Sequence, residues 1–231
     1  MERHDHLTHP HNRVTHLLLV RHGRTEGNRR NILQGTIDFP LDALGLAQAR
    51  RIAERLADEP PADLLLSSPL ARALTTAQII GDRVGLAPAV VPDLHEMSFG
   101  RLEGVTVDEA RAQRPDLLAS LSNPASFDLV WPGGESRRGF HQRVRSTFHA
   151  ILHTYAEERI IVVAHGGVIG AFLGQITGSS PNDPKLFELV NCGLTHVEVR
   201  GDHTLLHLRN DASHLVDLVD PDAPERCATC D

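Results

Sequence analysis

The chain has 231 residues, 41% of them hydrophobic and 23% charged, an ordinary balance for a globular protein large enough to bury a full core. A net charge of −7 and a pI near 6.1 argue against a nucleic-acid-binding surface, which needs a basic face, so an anion site here must concentrate its arginines locally. The longest apolar runs, Leu17–Val20 and Ile160–Ala164, fall far short of the roughly 20 residues that span a bilayer, and three cysteines make no disulfide framework.

In chain order, the N-terminal stretch MERHDHLTHPHNRVTH is polar and histidine-rich and lacks the apolar centre of a signal peptide, so a cytoplasmic protein is expected. Val14–Val20 reads as a buried strand, and Asp42–Ala57 as a helix on the spacing of Leu46, Ala49, Ile52, Ala53 and Leu56. Asp63–Leu66 is a second short strand. A helix opened by Pro69 and stopped by Gly85 follows it, and then a brief strand at Val90 and Val91. Between Val105 and Pro132 a helical pattern broken by Pro115 and Pro124 predicts short helices forming a cap. Glu135–Tyr155 is a long helix, Ile160–Ala164 a strand and Val168–Ile176 a helix. Leu194–Val199 and Thr204–Leu208 then read as a hairpin about Gly201-Asp202. This β-α rhythm predicts an α/β protein: a three-layer α/β/α sandwich around a mostly parallel sheet, with a short helical cap. The expected organisation is a polar tail over residues 1–13, one domain over 14–210 with its cap at about 105–132, and a C-terminal tail over 211–231.

In open α/β sheets ligands bind beyond the carboxyl ends of strands. His22 and His165 occupy equivalent places there, each followed by glycine, which lets backbone approach a ligand. Arg21 stands beside His22, and Arg72 lies early in the helix after the second strand. Guanidinium forks and helix N-termini both suit phosphate oxygens. With Asn28 these residues make a phosphate cradle that needs no metal, and Glu96 and Glu103 supply acid chemistry nearby.

The motifs carrying this chemistry stand in a fixed order: Arg21-His22-Gly23-Arg24-Thr25 with Asn28, Gln34-Gly35 with Asp38 and Pro40-Leu41, and Ser67–Ala73. Glu96 with Phe99-Gly100 and Glu103-Gly104, then Pro132–Ser136 and Ala164–Gly167, complete it. From Thr15 to Arg209 the chain resembles the histidine phosphatase superfamily, also called phosphoglycerate mutase-like, nearest its broad-specificity and alpha-ribazole phosphatase branch. The resemblance implies that His22 is a nucleophile carrying a phosphohistidine and that Glu96 protonates the leaving oxygen. It further implies that Arg21, Asn28, Gln34, Gly35, Arg72, His165 and Gly166 bind the phosphoryl group, with no cofactor and no metal. Adjacent positive charge favours a neutral, nucleophilic histidine.

The implied activity is hydrolysis of small phosphomonoesters, because the segment from Val105 to Ile161 lacks the long insertion with paired arginines that closes mutases of this family. The alternatives are a cofactor-dependent phosphoglycerate mutase and, in a different class, an inactive phosphoester-binding protein. Expected partners are a small phosphorylated metabolite, no nucleic acid and no membrane, in a monomer or homodimer. Arg24 either extends the positive field or is a solvated loop residue, and His95 reads as a neighbour of the acid. Glu103 reads as a loop organiser, Thr25 and Ser67 as ordinary caps, Cys192 as a buried hydrophobe and Trp131 as cap lining or core. Histidines 4, 6, 9 and 11 with Cys227 and Cys230 use zinc-ligand chemistry, but in tails with no second ordered pair, so no metal is expected there.

Overall fold

The computed structural model describes residues 14–120, 127–181 and 183–220. Strand β1 (Val14–Arg21) carries four consecutive fully buried residues, Leu17 to Val20, as a strand covered on both faces requires. A single turn, α1 (Glu26–Arg29), follows, closed by a capping box between Thr25 and Asn28. Helix α2 (Ala43–Ala57) starts at Asp42, whose carboxylate accepts from the Gly45 amide, and buries Ala49, Ile52, Ala53 and Leu56.

Strand β2 (Leu64–Ser67) leads into α3 (Ala71–Val84), which ends at Gly85 in the left-handed conformation. Pro69 does not open that helix. The backbone still follows the sheet at Ser68, whose amide donates to Val163, so the helix begins two residues beyond the proline. Its N-cap, Leu70, has no side-chain acceptor; Asp38 reaches in from a separate loop to accept from the Ala71 amide at 2.7 Å. Strand β3 (Ala89–Val90) is short and lies at the sheet edge.

The expected cap contains α4 (Val107–Gln113) and α5 (Pro115–Ser120), the second opened by Pro115; Pro124 lies outside the described residues. Helix α6 (Arg137–Thr154) begins after Ser136 and not at Glu135, because the Ser136 hydroxyl accepts from the Gly139 amide and so fixes the N-cap. Strand β4 (Arg159–Ala164) runs into α7 (Gly166–Thr177), which starts two residues earlier than apolar spacing predicts, with His165 itself at the N-cap. Hydrophobic periodicity is blind to Gly166 and Gly167. The hairpin is present as β5 (Leu194–Arg200) and β6 (His203–Asp211).

The sheet order is β3-β2-β4-β1-β5-β6, the first four strands parallel and the last two antiparallel. Leu17, Leu19, Ile160 and Val162 face α6 and α7, where Phe148 and Phe172 stack with ring centroids 3.9 Å apart. Leu18, Val20, Ile161 and Val163 face α2 and α3. The cap joins the first face through Ala110 and Leu117.

This winding locates the site. β1 and β4 are neighbours with Arg21 opposite Ala164, so His22 and His165 leave the sheet side by side. The chain after β1 turns to α2 on one face, and after β4 it turns to α7 on the other, which opens a crevice between the two exits.

Candidate active site

Both histidines are almost wholly buried, at 3% and 0% exposure, with ring centroids 5.1 Å apart. The His22 amide donates to Ala164 and its Nδ1 lies 2.7 Å from the Gly23 carbonyl. A carbonyl only accepts, so Nδ1 carries the proton and the lone pair is on Nε2. Burial pulls His22 well below its ordinary pKa, and Arg72 and Arg21 push the same way. The imidazole is therefore neutral at pH 7. His165 is lowered by the same burial and charges; its Nε2 lies 2.7 Å from the Ser68 hydroxyl, and its buried Nδ1 has no partner among the described residues.

Two guanidiniums border this pair, each tethered by main-chain carbonyls. Arg72, 1% exposed, donates through Nη1 to Ile37 and through Nη2 to Gly35, both at 2.8 Å. Arg21 donates through Nη1 to the Leu189 carbonyl. In each arginine Nε is buried without a partner among the described residues. Burial lowers both guanidiniums; Glu96 opposes it at each, and Asp38 and Glu103 also oppose it at Arg72. Two guanidiniums beside two neutral imidazoles give the crevice a positive field of the kind that suits a phosphate.

Glu96 occupies the loop after β3 and is anchored twice: Oε1 accepts from its neighbour Met97 and Oε2 from the Gly167 amide at the start of α7. A Cβ on Gly167 would lie 2.2 Å from the Glu96 carboxylate, so only glycine admits the acid there. Gly23 is glycine for another reason. A Cβ there would meet the Gly45 carbonyl at 2.5 Å, so its small size serves the approach of α2 and not that of a ligand.

Asn28 belongs to the same constellation. Its Oδ1 accepts from the Thr25 amide and from Asn191, whose Nδ2 also donates to the His22 carbonyl, so the Asn28 amide nitrogen is the end left to face a ligand. Gln34 lies behind it, with Oε1 2.9 Å from the Thr25 hydroxyl. Gly35 serves Arg72 through its carbonyl, and Gly166 lines the open cavity beside Arg21, Glu96 and Gly167. Thus His22, His165, Arg21, Arg72, Glu96, Asn28 and Gly166 converge, whereas Gln34 and Gly35 support them from outside.

Several supporting residues are invisible to motif reading. Ser68 and Asn191 orient His165 and His22, and their only signal is position, just past β2 and just before β5. Arg143, on the inward side of α6, pairs with Glu135 and donates to the carbonyls of Asp93 and His95, which holds the loop that presents Glu96. Glu103 organises the loops, accepting from Thr36, Ser98 and Phe99. Burial pushes the Cys192 thiol up, which removes it as a nucleophile. Trp131 is fully buried and points its indole N–H at the Met97 sulfur.

Arg24 fits neither expectation. Its side chain is 11% exposed and pairs with Asp42 and Asp220, so its charge is neutralised within the structure and is not directed at a substrate. Among the described residues no cluster of three or more histidine, cysteine or acidic side chains is placed to hold a metal; the histidines of the N-terminal stretch, Cys227 and Cys230 lie outside them. Among the same residues no helix is long and apolar enough to cross a membrane.

A family model described as histidine phosphatase superfamily (branch 1) matches residues 17–212. A metal-independent phosphoserine phosphatase of Arabidopsis thaliana is 36% identical over 205 residues, 87% of this chain and 84% of that one. The phosphoglycerate mutase-like protein 4 of the same plant is 32% identical, covering 86% of each. Among solved structures, a phosphoserine phosphatase variant from Entamoeba histolytica in complex with phosphoserine superposes with a TM-score of 0.79 at 27% identity, covering 87% of this chain and all of that one, 100%.

Proposed function

We infer the reaction from one premise: the chain belongs to the histidine phosphatase superfamily, branch 1, and is a phosphoric monoester hydrolase. The proposal concerns how it works and on what. Nε2 of neutral His22 attacks phosphorus in line with the ester oxygen. The P–O bond breaks as a P–N bond forms, and Glu96, protonated in the substrate complex, donates that proton to the departing alkoxide. Glu96, now a carboxylate, takes a proton from water, whose oxygen attacks phosphorus and releases orthophosphate and free His22. Arg21, Arg72, the Asn28 amide and His165 hold the three equatorial oxygens, where transition-state charge collects. No step calls for a metal.

The observation that carries this reading is the tautomer of His22. The Gly23 carbonyl fixes the proton on Nδ1, which leaves the lone pair on Nε2. The substrates are small phosphorylated metabolites, with phosphoserine a first candidate because relatives bear that name. Hydrolysis is favoured over mutase chemistry by the short cap. We place the enzyme in the cytoplasm, where charged phosphoesters are retained, as a monomer or homodimer; fractionation and gel filtration test that placement.

The test is release of inorganic phosphate from a phosphoester panel with chelator present, beside interconversion of 2- and 3-phosphoglycerate. Release that persists with chelator and disappears in His22→Ala, with an alkali-stable, acid-labile phosphoenzyme trapped in the wild type, is the expected result. Interconversion without release would reverse the choice between hydrolase and mutase.

A further inference from the structure

Beyond the phosphoryl cradle, the crevice opens into a cavity of about 810 Å³ beneath the cap, large enough for much more than a phosphate. Arg21, Glu96 and Gly166 line its reacting end. Leu33, Phe99, Leu118 and Phe187 give it apolar walls, and Arg111, Arg137, His141 and Glu188 also border it.

Arg137 is 3% exposed, yet among the described residues no carboxylate pairs with it. Nη2 makes one long bond of 3.3 Å to the Pro181 carbonyl, and Nη1 is buried with no partner among the described residues. One turn along α6, His141 is 7% exposed, packs against the rings of Phe127 and Phe140, and has its Nε2 buried with no partner among the described residues. A buried guanidinium with an idle donor beside an idle imidazole nitrogen is costly in a folded protein unless a ligand completes it. The sites differ in charge: two arginines in the cradle suit a dianion, whereas one arginine and a neutral imidazole suit a monoanion. The apolar walls suit a short carbon skeleton.

We propose that Arg137 and His141 form a second anion subsite, which receives a substrate carboxylate while the phosphoryl group lies in the cradle. The substrates are then phosphomonoesters bearing a carboxylate on the same small skeleton. The guanidinium donates through Nη1 and the imidazole through Nε2 to the two carboxylate oxygens. This deepens the hydrolase reading and rests on it.

The test uses two matched pairs, 3-phosphoglycerate against glycerol 3-phosphate and phosphoserine against phosphoethanolamine, assayed by phosphate release. The carboxylated member of at least one pair should be preferred in kcat/KM by about tenfold or more. Arg137→Met should bring that ratio close to one, Arg137→Lys should retain part of it, and His141→Gln should lower it with the loss mostly in KM. A ratio near one in the wild type for both pairs, or an unchanged ratio in Arg137→Met, overturns the subsite. Calorimetric titration of His22→Ala with the same four compounds separates the two readings. Tighter binding of a carboxylated compound, lost on adding Arg137→Met, supports the subsite even if the wild type hydrolyses nothing. Turnover by the wild type with equal binding of all four sinks the subsite and leaves the hydrolase standing.

Discussion

His22 shows how one residue's environment sets its chemistry. A free imidazole titrates near 6.5, but burial and the fields of two arginines lower His22 well below that, which keeps it neutral at pH 7. In the pH profile of kcat/KM for p-nitrophenyl phosphate, any loss from protonation of His22 is expected below pH 6.5, and ¹⁵N chemical shifts of the labelled ring should report the neutral Nδ1–H tautomer at pH 7. An imidazolium signal at pH 7 would contradict the assignment. Arg72 is equally specific: lysine cannot hold two carbonyls and still present Nε, so Arg72→Lys should lower kcat by about 10²–10³-fold in steady-state assays. These residues were legible by type in the sequence, and the roles proposed for them rest on the geometry that brings them together. What a residue pairs with was not, and Arg24 is the example: the same charge that reads as a solvated or field-extending group is bound to Asp42 and to the distant Asp220.

Elements deliver these groups through their ends. α7 begins at the catalytic crevice, and its Gly167 amide holds the Glu96 carboxylate at 2.9 Å, combining a free helix-terminal donor with the positive end of the macrodipole. Gly167→Ala keeps helix propensity but drives a Cβ into that carboxylate. Turnover of alkyl phosphates, whose leaving oxygen needs a proton, is expected to fall roughly 10²-fold or more. Turnover of p-nitrophenyl phosphate, with its better leaving group, should fall less. Equal losses on both would show that Glu96 is not the acid. α3 depends on a borrowed cap, since Asp38 supplies the acceptor that Leu70 lacks; Asp38→Ala should cost about 1 kcal/mol in urea unfolding. The existence and type of these helices follow from periodicity. Their first residues do not, because a proline, a serine cap or two glycines moves the start without touching the apolar pattern.

At the scale of the whole molecule, several histidines are folded in their neutral form. Burial lowers His22 and His165 well below 6.5, and lowers His141 and His196 to about 4. The unfolded chain therefore binds protons first as pH falls, and stability is lost below about 6.5, progressively toward pH 4; above 6.5 these groups contribute fully. Melting temperature should therefore be flat from pH 8 to 6.5 and fall as the pH is lowered further toward 4. Calorimetric scans across that range check it, and a flat curve would mean the histidines titrate normally in the native state.

The sequence by itself determined the fold class, the order of strands and helices, and the residues at the two strand exits, because buried strands, amphipathic helices and short motifs are local patterns along the chain. Only the tertiary structure decided that β1 and β4 are neighbours, and hence that His22 faces His165 across 5.1 Å. It also decided that Ser68, Asn191 and Arg143 support the site, and that among the described residues no carboxylate pairs with the buried Arg137. Burial and pairing are relations between segments far apart in the chain, and no window along one segment contains them.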